Sequence, residues 1–154
     1  LQLNGFLEND SGCYNKNEGK MKFIEFSDDA SCGFKEIDNQ HIRMINIAND
    51  LYDAILISNK EKISEQLEEL VLDLQTHFEY EETIMKETKF QGYISHKLEH
   101  DRVLKHTRDD AAAYKNGKIN FGTENMKSFK TWFYNHLDFN DKKLGKFLAE
   151  QGEN

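Results

Sequence analysis

Five of the six histidines in this 154-residue chain fall into one pattern: His41, His77-x-x-x-Glu81, His96-x-x-x-His100 and His136-x-x-x-x-Asp141. Five imidazoles and two carboxylates on four separate segments form a metal-ligand inventory. The number suits a pair of metal ions better than one, since a single structural zinc needs only four ligands and usually draws them from closely spaced Cys and His. No cysteine is near any of the seven in sequence. In an α-helix, residues four apart lie about 40° apart around the axis and about 6 Å along it, so both side chains of such a pair reach one centre. The five-residue step from His136 to Asp141 is different. It turns a regular helix by about 500° and leaves the two side chains about 140° apart. Either a π-type bulge realigns them, or Asp141 reaches sideways between two metals.

The elements that must position these groups are helices. Apolar residues recur at steps of three and four, and the chain has no proline. A first helix is expected over about 39–57, with Met44, Ile45, Ala48, Leu51, Tyr52 and Ile55 on one side. A second, over about 61–86, carries the stripe Ile63, Leu67, Leu70, Leu74, His77, Glu81 and Ile84. A third, over about 92–115, carries Tyr93, His96, His100 and Val103. A fourth, over about 123–150, carries Met126, Phe129, Phe133, His136, Asn140 and Phe147. Short connectors at Ser58-Asn59, Gln91-Gly92 and Asn116-Gly117 imply antiparallel neighbours. The expected fold is all-α: an up-down antiparallel four-helix bundle over residues 39–150 with an extended N-terminal arm over 21–38. That arm is anchored by Phe23, Phe26, Phe34 and Ile37.

His77, Glu81, His96, His100 and His136 sit where the apolar stripes call for buried residues. Burying them without partners would cost several kcal/mol each, on the order expected for unpaired polar and charged groups. A metal centre supplies the partners. A single buried histidine is ordinarily a hydrogen-bonded core residue, but five on facing stripes with two acids at regular offsets are not. His106, six residues past His100 and off the stripe, reads as a solvated surface residue.

Composition narrows the partners. A net charge of −8 speaks against nucleic acid, whose phosphates need clustered Lys and Arg. No apolar run reaches the 18 residues of a membrane span, and no signal peptide is evident. Residues 1–20 are polar and without period, and the chain opens on Leu. They are expected to be a linker, a leader or a foreign segment, with the chain either cut from a longer protein or naturally begun at Met21. Cys13 and Cys32 are expected to be free thiols in a reducing, cytoplasmic setting.

The residues also resemble a known family. Gly33-Phe34-x-x-Ile37-Asp38-x-Gln40-His41, Asn49-x-Leu51, His77-Phe78-x-x-Glu81-Glu82-x-x-Met85, His96-x-x-x-His100 and Trp132-x-x-x-His136-x-x-x-x-Asp141-Lys142 are similar to hemerythrin, and more closely to bacterial hemerythrin-like domains. The likeness covers roughly residues 26–149 and includes all seven ligand positions in order. Phe26 departs from the usual Trp and Leu137 from the common Ile; neither is a ligand.

The resemblance implies a non-haem di-iron site that binds O₂ reversibly. His96, His100 and His136 would hold one iron, and His41 and His77 the other, leaving a position open for O₂. Glu81 and Asp141 would bridge, with an oxo or hydroxo group as third bridge. Two ferrous ions then carry four positive charges against three negative ones. Di-iron oxygenases use more carboxylates, commonly in Glu-x-x-His pairs, which are missing from these stripes. A histidine-rich centre should exchange two electrons with O₂ and stop there. Its open side needs a dry wall, for which Ile45, Leu74, Phe78 and Trp132 are the candidates by spacing.

The expected function is therefore O₂ binding without turnover, for storage and delivery or as the sensing domain of a longer signalling protein. No catalytic residue is assigned. The alternatives are a di-iron enzyme on the same scaffold (peroxidase, nitric oxide reductase or iron-sulfur repair) and a plain metal store. Imidazole and carboxylate accept iron, manganese and zinc alike.

Overall fold

The structure, a computed structural model, describes residues 22–152. The expectations for residues 1–20, Met21 and Cys13, including any pairing of Cys13 with Cys32, lie outside the described residues.

A 3₁₀ turn at Asp28–Ala30 leads into four long helical stretches: α1 (Lys35–Leu56), α2 (Lys60–Glu87), α3 (Tyr93–Lys115) and α4 (Thr123–His136). A π-helical turn, Leu137–Asp141, follows α4 and passes directly into α5 (Lys142–Glu150). The last expected helix is therefore one rod with a wide turn in its middle. Among the described residues there is no strand, and no helix is long and apolar enough to cross a membrane. The expected four-helix bundle is observed, with α2 packed on both α1 and α3, and α1 also meeting α4.

Local chemistry sets the ends of these helices. Asn59 caps α2, its side chain accepting from the Lys62 N–H at 3.0 Å. Gly117 takes a left-handed φ of 67° to end α3, a conformation that glycine adopts without a Cβ penalty.

α1 begins four residues earlier than the expected 39, so Ile37 and Asp38 belong to the helix and not to the arm. The reason is not periodic. Asp38 reaches back, accepting from the Cys32 N–H at 2.8 Å and the Ser31 hydroxyl at 2.6 Å, and so ties the first turn to the arm. Upstream, the Ile24 backbone is clamped by Asn49, which both accepts from and donates to it at 2.9 Å. Phe23 stacks on Tyr52 with ring centroids 4.1 Å apart. Ile24, completely buried, is an anchor that the aromatic pattern did not single out.

The core is split. The larger apolar cluster includes Met44, Ile45, Leu70, Leu74, Phe78, Met126 and Phe133. A smaller one contains Cys32, Ile37, Met85, Leu144 and Leu148. Along α1, α2 and the α4–α5 rod, His41, His77, Glu81, His136 and Asp141 fall between residues of the two clusters. The bundle is thus apolar above and below a polar layer.

Candidate metal centre

All seven residues singled out by spacing are buried, and the structure brings them together. Two sets of ligand atoms each lie within 4.8 Å of one another: Glu81, His96, His100 and His136 in one, His41, His77, Glu81 and Asp141 in the other. Glu81 belongs to both. Asp141 is split between them by atom. Its Oδ2 lies 3.3 Å from Nε2 of His41, while Oδ1 lies 3.1 Å from Nε2 of both His96 and His136. Oε2 of Glu81 stands 3.2 Å from His100, 3.3 Å from His96 and 3.7 Å from His77.

The π turn makes the Asp141 placement workable. Its hydrogen bonds run from i to i+5, so residues five apart come into line as residues four apart do in an α-helix. His136 immediately precedes the turn and Asp141 closes it. Of the two routes left open by spacing, the bulge is realised, and the carboxylate also spans the two groups.

The donor set fits metal ions. The Nε2 atoms of His41 and His77 are 3.2 Å apart, those of His96 and His136 3.1 Å, and those of His100 and His136 3.2 Å. Ligands about 2.0–2.1 Å from a common metal stand about 2.8–3.4 Å from one another across octahedral cis and tetrahedral geometries. Both oxygens of Glu81 and both of Asp141 are buried without a hydrogen-bond donor. Four unsatisfied carboxylate oxygens in a core would be hard to sustain without a cation.

Electrostatics within the layer follow from burial and mutual contact. Burial disfavours charge on His77 and brings its pKa down to about 3. At His96 burial acts the same way, but the adjoining carboxylates of Asp141 and Glu81 outweigh it and raise the pKa to about 9. Burial pushes both carboxyls up, and at Glu81 the charge of Asp141 adds to it; the surrounding imidazoles prevail and hold each below its ordinary range.

Sequence reasoning missed the groups behind the imidazoles. Nδ1 of His77 is 2.9 Å from Oε1 of Gln40, so the ring donates there and leaves its Nε2 lone pair for a metal. The Asn140 carboxamide sits 3.2 Å from Nδ1 of His136, and Oε1 of Glu82 lies 3.5 Å from Nδ1 of His100. Gln40, next to His41, and Asn140, four residues beyond His136, were visible by offset once their partners were known.

Of the candidate wall residues, Ile45, Leu74 and Phe78 are buried and Trp132 half-buried. Phe78 stacks flat on His100 at 3.9 Å and Trp132 on His136 at 5.1 Å, so both rings lie against the three-histidine group. Phe133 stands edge-on to His41, at 5.8 Å. It was legible only as a member of the α4 stripe. His106 is exposed at the surface, its side chain 73% accessible.

Residues 32–148 match the family model described as Hemerythrin HHE cation binding domain. The chain belongs to the hemerythrin family. Among curated hemerythrin relatives it is 31% identical over 121 residues to the bacteriohemerythrin of Pseudomonas aeruginosa (strain LESB58), covering 79% of this chain and 78% of that protein. It is 32% identical over 119 residues to the bacteriohemerythrin of Aquifex aeolicus (strain VF5), covering 74% and 88%. The crystal structure of wild-type hemerythrin superimposes with a TM-score of 0.80 at 24% identity, over 82% of this chain and 98% of that one, which is a likeness of fold. The hemerythrin-family fold and the metal-binding character of the buried layer thus rest on independent observations.

Proposed function

We propose that this chain binds O₂ reversibly at two iron ions held in the buried layer. The observation that carries the reading is the division of seven donors into two groups that share Glu81 and, atom by atom, Asp141. His96, His100 and His136 would hold one iron; His41 and His77, with fewer imidazoles, would hold the other and leave room for the gas. The two carboxylates would bridge. Bound ferrous ions would supply the pair of electrons that O₂ takes up on binding and returns on release.

The chain's own residues do the remaining work. Gln40 fixes the tautomer and orientation of His77. Phe133, Ile45 and Leu74 keep water from the two-histidine side, and a dry wall slows the leakage of protons and superoxide. Phe78 and Trp132 brace the other group by stacking on its imidazoles. The histidine-rich donor set supports a carrier or sensor over an enzyme, because few anionic ligands are present to stabilise high-valent iron. The same equilibrium serves storage and delivery, or sensing when joined to a signalling domain.

The test is an anaerobic iron assay followed by optical spectra before O₂, after O₂ and after purging with argon. Two irons per chain and a visible band that appears with O₂ and fades on purging are expected. A direct, irreversible passage to the oxidised form with repeated consumption of peroxide or nitric oxide would replace the carrier by an enzyme. Sensing is separated from storage by an O₂-dependent change in the activity of a joined output domain in the complete reading frame.

A further inference from the structure

The five imidazoles of the layer differ in what stands behind them. Gln40 and Asn140 place neutral carboxamides at Nδ1 of His77 and His136, while Nδ1 of His41 and of His96 have no hydrogen-bond partner in the protein. Among the described residues, only His100 has a carboxylate at its Nδ1. Oε1 of Glu82 lies 3.5 Å from that atom, and no other acceptor reaches it. Glu82 follows Glu81 on α2, so the helix turns it about 100° out of the layer, to where it meets Lys97 of α3.

Lys97, on the turn of α3 between His96 and His100, competes for the same carboxylate. Its Nζ is 3.2 Å from Oε2 of Glu82 and 3.5 Å from Oε1, and Asp101 holds it from the other side at 2.7 Å. Glu82 is thus divided between an ammonium and an imidazole, which accounts for its long contact with Nδ1. Once Nε2 of His100 faces a metal, the ring's proton sits on Nδ1 and needs an acceptor. A hydrogen bond to an anion is about twice as strong as one to a neutral group, and it raises the basicity of the imidazole as a ligand. The Lys97 charge draws the carboxylate away from that role.

We propose that Glu82 and Lys97 act together as positioning residues for the three-histidine group: Glu82 orients His100 and makes it the most strongly donating of the five imidazoles, and Lys97, by sharing the carboxylate, limits how far. The inference rests on the metal reading above and deepens it. It gives the two groups unequal electron supply, with anionic support behind the three-histidine side and only the neutral amide of Gln40 behind the two-histidine side. A more strongly donating ligand favours the higher charge on the ion it holds, and holds it more tightly. Lys97 opposes both effects and keeps the centre reducible.

A double-mutant cycle of Glu82→Gln, Lys97→Met and the two combined tests it, in iron-loaded and zinc-loaded protein. Glu82→Gln keeps an oxygen for Nδ1 but removes the charge. It should lose one ion to a competing chelator about tenfold more readily, the low end of what such supports contribute, and its ferric/ferrous potential should rise. Lys97→Met should move both in the opposite direction, retention by about two- to fivefold, the worth of a half-exposed ion pair. In the Glu82→Gln background Lys97→Met should change neither, because its effect passes through Glu82. In the zinc-loaded protein, which is diamagnetic, the Nδ1 proton resonance of His100 should move downfield in Lys97→Met and upfield in Glu82→Gln. Additive effects of the two substitutions would mean that the charges act only as a distant field, and overturn the pairing. An Nδ1 resonance that neither substitution moves overturns the link to His100. A protein that takes up neither zinc nor iron overturns the metal reading and this inference with it. Full metal loading with unchanged retention and potential in Glu82→Gln overturns this inference alone.

Discussion

Gln40 matters to the proposed centre although it is not itself one of the seven donors. By accepting from Nδ1 of His77 at 2.9 Å it decides which nitrogen of that ring is free to coordinate. Groups in this position commonly govern metal affinity by about 10- to 100-fold. Gln40→Leu should therefore lose one iron to a competing chelator roughly that much more readily while leaving helix content intact; unchanged retention would remove Gln40 from the centre. The pH response of the chelated protein belongs to single residues too. His77 stays neutral in the fold down to about pH 3, whereas an unfolded chain protonates it near 6.5. The unfolded state then binds more protons, so acid below 6.5 progressively disfavours the fold. His96 has the opposite sign. Its folded pKa of about 9 contributes stability below 6.5 that is lost as pH rises to 9. Melting temperatures of the metal-free protein at pH 4, 6.5 and 9 should peak at the middle value, and a steady rise from 4 to 9 would contradict this balance. Loaded with metal, the protein should shed it in acid, because every coordinating imidazole must be neutral.

Two elements carry constraints of their own. α5 approaches the arm so closely that a Cβ on Gly145 would stand 1.9 Å from the Cys32 carbonyl oxygen. Gly145→Ala must push the arm off the rod, opening the small cluster of Cys32, Ile37, Met85, Leu144 and Leu148. A loss of about 1–3 kcal/mol is expected, the usual range for overpacking, read as a lower denaturation midpoint. A midpoint equal to that of the parent would mean the two segments are not in contact. The π turn sets register as well as shape. Inserting one alanine between Phe139 and Asn140 rotates everything after it by about 100°, carrying Asp141 out of the layer. Iron content should fall below two per chain although the helices remain. Full retention would show that Asp141 is not needed to join the groups. Both constraints come from tertiary register: helical periodicity identifies which face is apolar but not how near another segment's backbone comes.

Taken whole, the bundle stacks a polar layer between two apolar clusters, and its stability depends on what fills that layer. Removing metal leaves five imidazoles and two carboxylates buried, with four carboxylate oxygens lacking donors. A ligand present at about 1,000 times its Kd adds about 4 kcal/mol to the folded state, so chelation should lower the melting temperature by many degrees and re-addition of ferrous ion should restore it. A melting temperature indifferent to chelator would place the metals outside the core. The sequence alone determined the helical class, the approximate spans of α2 and α3, and the seven chemistry-bearing residues. Periodicity and offset along one helix are local properties, and a carboxylate on an apolar stripe is conspicuous without coordinates. The earlier start of α1 escaped it because Asp38 bonds to the arm and not to its own helix. So did Gln40 and Phe133, whose significance is a partner on another helix. The choice of a π turn at Leu137–Asp141 and the sharing of Glu81 were decided only by the tertiary structure. Each depends on how far apart helices settle when packed, a distance summed over many weak contacts that no single spacing in the chain encodes.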